Sequence, residues 1–224
     1  MKTRTQAGFS LIELIIAVSI MAILAGAAVP LALKAMTSAG RKASKTEIES
    51  LSEGVQDYFS DTLVLPATLA DLEVEPTPAV PGWSGPYLPG AVPDKITGLS
   101  GYQVDAWSRS YDLTVAGDIA TITSRAEDGM PGTTDDISIA VNVTYLRRKA
   151  TLDQLRIINQ AVASYNAQNN FSPALPNSSY TNILSTLVSD GFLPSTTGYE
   201  FDGWGVPFEP RATTPVVKIQ SASL

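Results

Sequence analysis

The chain contains no cysteine and no histidine. Without cysteine there are no disulfides and no thiolate chemistry, and without histidine the usual general base and the usual ligand for zinc or copper are missing. Zinc enzymes and histidine-based triads are therefore excluded. Positive charge is scarce as well: 15 Lys and Arg stand against 22 Asp and Glu, giving a net charge of −7 and a pI near 4.6. Phosphate binding needs a basic surface, so nucleic acid is not an expected partner, and the acidic surplus suits cations instead. Proline and glycine, at 15 and 16 of 224 residues, indicate loop-rich lobes rather than disorder.

One long apolar run is present, near the amino terminus. The segment FSLIELIIAVSIMAILAGAAVPLALK begins at Phe9 and carries a single acid, Glu13, with Lys2, Arg4, Lys34 and Arg41 flanking it. About 20 apolar residues suffice to cross a bilayer as a helix. A carboxylate at the centre of such a helix costs about 2.5 to 3.5 kcal/mol, less near an end, so Glu13 calls for a partner. Two plainer readings compete. A secretory signal peptide cut near Ala25-Gly26-Ala27 fits poorly, because a glutamate inside its apolar region is unfavourable and helical sequence continues past the cut. A simple anchor with Glu13 snorkelling to the interface does not require Gly8, Phe9 and Glu13 together.

That combination resembles the class III signal of type IV pilins and type II secretion pseudopilins. The resemblance implies cleavage by a prepilin peptidase between Gly8 and Phe9, N-methylation of Phe9, and pairing of Glu13 with an amino terminus during filament assembly. It also matches the helix-loosening proline of the family to Pro30, where a missing backbone bond and a ring clash bend or melt a helix.

Beyond the apolar run, Ile48, Leu51, Val55 and Tyr58 recur at intervals of three and four, while Lys45, Glu49, Glu53 and Gln56 lie off that face. One helix of about 75 Å is expected from Phe9 to about Phe59. Pro66, Pro76, Pro78, Pro81, Pro86, Pro89 and Pro93 then mark a long connecting loop from Leu63 to Gly101. Alternation at Tyr111, Leu113 and Val115 and at Ala120, Ile122 and Ser124, around Ala116-Gly117-Asp118, predicts a hairpin, and Ile137 to Val143 predicts a further strand.

Between those strands runs Asp128-Gly129-Met130-Pro131-Gly132-Thr133-Thr134-Asp135-Asp136-Ile137. Three carboxylates crowded into a short loop repel one another unless a cation sits among them, and hard oxygen ligands favour calcium. An acidic solvated turn is the plain alternative for a lone Asp-Gly. The whole pattern resembles the calcium loop of the major pseudopilin, which implies ligation by Asp128, Asp135 and Asp136 and a structural rather than catalytic ion. It is not an EF-hand, since the alternating acids and closing glutamate are missing.

The second half reads as a repeat of the first, the plain alternative being a single enlarged lobe with similar local patterns. Val162, Tyr165 and Pro173 follow Val55, Tyr58 and Pro66 at a constant 107 residues (162 − 55), and Tyr199, Asp202, Trp204 and Ile219 follow Tyr102, Asp105, Trp107 and Ile122 at a constant 97 (199 − 102). A second helix is expected from Tyr145 to about Asn169, with Leu152, Leu155, Ile158, Val162 and Tyr165 on its buried face. The repeat reaches Leu224 where the calcium loop would begin. Trp83, Trp107 and Trp204 are read as packing residues.

The expected fold is therefore α+β: a long transmembrane-to-amphipathic helix on a small antiparallel sheet, pilin-like, then a second helix-plus-sheet lobe. The expected divisions are a leader at 1–8, a transmembrane assembly helix at 9–33, a first lobe with the calcium loop at 34–143 and a second lobe without it at 144–224. The resemblance implies a non-enzymatic subunit of a type II secretion filament, anchored in the bacterial inner membrane with its lobes in the periplasm. Its partners would be other copies or other pseudopilins, the prepilin peptidase and the inner-membrane assembly platform. The alternatives are a type IV or competence pilin at the cell surface, or a calcium-dependent adhesin or cargo-binding module on a pilin anchor.

Overall fold

The structure is a computed structural model that describes residues 10–88, 90, 94–169, 175, 179–213 and 216–224. Helix α1 spans Leu11–Thr62 without interruption, running through Pro30. It ends where Leu63 turns left-handed (φ 57°) and its N–H returns to the Phe59 carbonyl. The chain then makes a hairpin of β1 (Asp112–Ala116) and β2 (Ile119–Ser124), to which β3 (Ile137–Asn142) adds antiparallel in the order β1-β2-β3. Helix α2 (Thr144–Gln168), helix α3 (Tyr180–Ser189) and a second antiparallel hairpin, β4 (Glu209–Thr213) with β5 (Val216–Gln220), follow.

Two hydrophobic cores result. In the first, Ile48, Leu51, Val55, Tyr58 and Phe59 of α1 pack against Ala120, Ile122, Val141 and Val143 of the sheet. Two glycines on α1 permit close approach: a Cβ on Gly54 would lie 3.0 Å from Leu88, and one on Gly40 3.2 Å from the Trp107 ring. In the second core, Ile158, Val162 and Tyr165 of α2 meet Ile183, Leu184 and Leu187 of α3, with Phe208 and Ile219 from the hairpin.

The expected loop from 63 to 101 is not wholly irregular. Leu69–Leu72 forms a 3-10 turn, capped by Asp71 bonding back to the Thr68 N–H, and it buries Leu69 and Leu72 against α1. Helix α3 lies where no helix was expected; Tyr180, Ile183, Leu184 and Leu187 carry the three-and-four spacing of a buried face. On α2, Leu152 is 49% exposed, so it does not belong to the buried stripe, and Thr151 is buried in its place. The reason is polar: the Thr151 hydroxyl accepts from the Gly203 N–H at 2.8 Å and donates to the Arg147 carbonyl at 2.9 Å. Pro173 of the sequence repeat, like Gly8 and Phe9, lies outside the described residues.

The repetition extends to individual hydrogen bonds. Asp105 Oδ1 accepts from the N–H groups of Trp107 and Arg109 at 2.9 and 3.0 Å, and its Oδ2 accepts from Ser124 at 2.6 Å. Asp202 Oδ1 accepts from Trp204 and Val206 at 2.9 and 3.0 Å, and its Oδ2 from Ser221 at 2.6 Å. The Ala106 N–H bonds Ser44 on α1 as the Gly203 N–H bonds Thr151 on α2. Register agrees as well, with Asp112 opposite Thr123 and Glu209 opposite Gln220. In each lobe a buried carboxylate thus pins an aromatic turn to the end of a hairpin strand, while a hydroxyl pins the same turn to the helix.

Arg147 joins the two lobes. Its Nε pairs with Asp118 at 2.7 Å, its Nη1 donates to the carbonyls of Leu63 and Gly203 at 3.1 and 2.6 Å, and its guanidinium lies 4.7 Å from the Phe59 ring centroid. A cleft of 690 Å³ opens beside it, lined by Leu65, Val115, Phe201 and Trp204 among others.

Burial disfavours the charge of Asp202, but the bonds from Ser221, Ser223, Val206 and Trp204 outweigh it and hold the carboxyl below the usual carboxylate range. A depressed folded-state value stabilises above the ordinary range and is lost as pH falls through the lowered one. Amide protection at Trp204 and Val206 should accordingly persist through the ordinary carboxylate range and fade only below it. Asp202→Ala should destabilise the second lobe by roughly 3 kcal/mol through its orphaned donors. Hydrogen exchange on the detergent-solubilised chain checks this: protection should fall at Trp204 and Val206 and hold at Trp107 and Arg109.

Candidate functional site

Two regions carry the candidate functional residues. The first is the exposed half of α1. From Leu11 to Met36 every Leu, Ile, Val and Met side chain is exposed, and the helix contains an 18-residue window of mean hydropathy 2.5 that buries nothing within the chain. Such a surface has no stable home in water, and its length suits a bilayer crossing. Glu13 sits in the first turn of this helix. Its Oε2 accepts from the Ser10 N–H at 2.9 Å while its own N–H donates to Ser10 Oγ at 3.3 Å, a reciprocal capping box. The carboxylate also faces the positive end of the helix dipole. Among the described residues, therefore, Glu13 Oε2 accepts from a single backbone donor beside the helix end, and Oε1 accepts from none.

The second region is the loop between β2 and β3. The structure brings Asp128, Asp135 and Asp136 together, with one carboxylate oxygen from each within 4.8 Å of the others. Two oxygens on opposite sides of a calcium ion, each about 2.4 Å from it, are separated by about that distance. Among the described residues this is the one such acidic group. Backbone donors converge on it: Met130 N–H on Asp128 Oδ1 at 2.8 Å, Gly132 N–H on Asp136 Oδ2 at 2.7 Å and Asp128 N–H on Asp135 Oδ2 at 3.3 Å. Thr133 Oγ1 donates to Asp135 Oδ1 at 2.6 Å, and this bond first of all holds the Asp135 carboxyl below the usual range. Gly129 and Gly132, at φ 70° and 82°, supply the left-handed turns that fold the loop over its acids. The donor set is all oxygen, which fits calcium and does not fit a soft metal.

Two arginines hold this loop in place: Arg41, which the sequence marks only as a charge flanking the apolar run, and Arg109, which no sequence pattern marks. Arg41 Nη1 reaches from α1 to the Asp135 carbonyl at 2.7 Å, and Arg109 donates to the Ala126 carbonyl. Arg41 and Asp135 lie 94 positions apart, so no local pattern announces the contact. At the loop's start, Ser124 Oγ accepts from the Ala126 N–H at 3.0 Å while donating to Asp105, which ties the loop to the buried carboxylate of the first lobe.

Matches to known proteins span the residues of both regions. The prokaryotic N-terminal methylation motif matches residues 3–29, and the family described as Type II secretion system (T2SS), protein G matches residues 32–143. Curated relatives carry the name Type II secretion system core protein G. That of Klebsiella michiganensis is 30% identical over 140 residues, covering 61% of this chain and 94% of the relative. That of Xanthomonas campestris pv. campestris is 32% identical over 133 residues, covering 57% and 82%. That of Vibrio cholerae serotype O1 is 28% identical over 141 residues, covering 61% and 92%. No solved structure matches. The family match takes in the acidic loop and β3 and stops at Val143, so α2 and everything after it lie beyond the matched span. With the methylation motif on its apolar helix and the protein G match over its first lobe, this chain belongs to the type II secretion system protein G family, the major pseudopilins.

Proposed function

We propose that this chain is a non-catalytic pseudopilin that polymerises through the exposed half of α1 into a periplasmic filament serving protein export. The single observation that carries this reading is the apolar surface from Leu11 to Met36, which no other part of the described chain covers. In the unassembled subunit the bilayer is its solvent; in the filament, the same helices of neighbouring copies or of other pseudopilins replace the lipid. The subunit is held in the inner membrane, with both lobes on the periplasmic side, until the prepilin peptidase has cut between Gly8 and Phe9 and the assembly platform has added it to the filament.

Glu13 supplies the register. A carboxylate that keeps an oxygen open in an apolar surface favours the arrangement in which a neighbour's terminal ammonium meets it, and all others leave it short of a donor. Pro30 gives the helix a point at which it can yield when neighbouring copies close around it.

In this reading the chain divides into a leader at 1–8, an assembly helix at 9–33, a first lobe at 34–143 and a second lobe at 144–224 that repeats its plan without the acidic loop. Asp128, Asp135 and Asp136 hold one calcium ion, and carbonyl oxygens of the same loop complete its shell. The ion neutralises the loop's mutual repulsion and so tethers β3 to the hairpin, with no part in chemistry. Arg41 and Arg109 brace the loop from outside.

Three outcomes check these assignments. Mass spectrometry of the membrane-extracted protein should find Phe9 as a methylated amino terminus; an intact Met1 would overturn processing at Gly8. Glu13→Ala should insert normally but form few or no filaments by electron microscopy, and filaments at native abundance would remove Glu13 from assembly. Calcium should raise the melting temperature of the detergent-solubilised chain by the equivalent of about 2.7 kcal/mol at a hundredfold excess over its dissociation constant. Asp135→Ala combined with Asp136→Ala should abolish that response. A native chain indifferent to calcium would rule out the site, and an equal rise with magnesium would contradict its selectivity.

A further inference from the structure

The two hairpins match residue for residue, yet their outer edges are finished differently. In the first lobe β2 lies between β1 and β3, and Ile122 is opposite Ile139 on the β3 side. In the second lobe β5 pairs with β4 alone among the described residues. Antiparallel ladders alternate hydrogen-bonded and non-hydrogen-bonded pairs, so every second residue turns both its N–H and its C=O to the outer side. Ile219, which stands where Ile122 stands in the first lobe, is one of these: its partner on β4 is Pro210, which has no N–H to give.

The side chain of Asn159 on α2 fills the vacancy. The Ile219 N–H donates to Asn159 Oδ1 at 2.9 Å, and Asn159 Nδ2 donates to the Ile219 carbonyl at 3.0 Å. A carboxamide has the donor and acceptor of a peptide group, so Asn159 offers Ile219 what an opposing strand residue would offer. The second proton on Nδ2 goes to the Leu155 carbonyl at 2.9 Å, which fixes the amide's orientation. The corresponding place on α1, 107 residues earlier, is Ser52, whose hydroxyl bonds the Glu49 carbonyl of its own helix and leaves the sheet to β3.

We propose that Asn159 is a side-chain surrogate for a third strand, and that it closes the outer edge of β5 against strand addition by a second copy of this chain. An open edge of the sequence Val216-Val217-Lys218-Ile219-Gln220 is rich in β-branched residues, and two such edges pair with each other about a two-fold axis, each being the other's complement. Membrane anchoring and polymerisation both raise the local concentration of second lobes, the condition under which an unguarded edge pairs. By occupying the central outward-facing residue, Asn159 interrupts the ladder at the point where a partner strand must bond.

The test uses the full chain in detergent, with single cysteines placed in a sequence that has none of its own. Lys218→Cys and Gln220→Cys, separately and mixed, cover the three two-fold registers centred on residues 218, 219 and 220. In the otherwise native chain these cysteines should form little disulfide dimer under mild oxidation. With Asn159→Ala added, the Ile219 amide should lose protection in monomers at low protein concentration, and disulfide dimers should rise at least tenfold as concentration increases. Protection at Trp204 and Val206 should stay unchanged, which shows that the lobe remains folded. An Ile219 amide that stays protected in Asn159→Ala, or unprotected without any increase in cross-linking, would overturn the proposal. So would loss of protection at Trp204 and Val206 as well, since Asn159 would then hold the lobe together rather than guard its edge.

Discussion

The constraint on which the rest depends is that α1 is one helix with two solvents. Its amino-terminal half exposes apolar side chains on every side and is covered by nothing else among the described residues; its carboxyl-terminal half confines apolar residues to one face and buries them under the sheet. A continuous backbone forces these halves to keep a fixed distance and rotation. Wherever the apolar half is held, in lipid or among neighbouring helices, the first lobe is displayed in one orientation. The second lobe hangs from the first through Arg147 and the α2 junction and inherits that orientation.

Each lobe then solves the same small problem, which is how to close a short hairpin on a helix with few strands. Both use a buried aspartate whose oxygens collect two turn N–H groups and one strand-end serine. A buried carboxylate is costly unless its lone pairs are filled, and here they are filled from the turn and from the strand it must hold. The lobes part company at the next step. The first extends from its serine into the acidic loop and a third strand, whereas the second satisfies the exposed ladder with one amide from its own helix.

Much of this was legible in the sequence because it is local or periodic. The three-and-four spacing of Ile48, Leu51, Val55 and Tyr58, the alternation around Gly117 and the acids from Asp128 to Asp136 each leave a pattern within a few residues. The constant 97-residue offset proved informative because it preserves which donor meets which acceptor, not residue type alone. What escaped depended on tertiary register. Leu152 and Thr151 are neighbours on α2, and only the position of the Gly203 turn decides that the threonine faces inward. Helix α3 had the right spacing but sits in the part of the repeat where the first lobe makes only a 3-10 turn, so the internal comparison pointed away from it. Arg41 and Asn159 act across long separations on backbone groups, which carry no signature of their own.

The small residues at the two helix–turn contacts have changed places. On α1 the helix contributes Gly40 and the turn brings Ala106 and Trp107 over it; on α2 the helix contributes Arg147 and the turn brings Gly203, where a Cβ would fall 2.5 Å from the Arg147 carbonyl. Two similar modules in one chain risk exchanging partners while they fold, the first hairpin closing on the second helix. Here that exchange would drive Ala106 into the Arg147 backbone, whereas the reverse exchange would bring Gly203 and Trp204 over Gly40 and lose only the Ala106 methyl. The duplication thus carries a steric mark of its own, which disfavours closure of the first hairpin on the second helix.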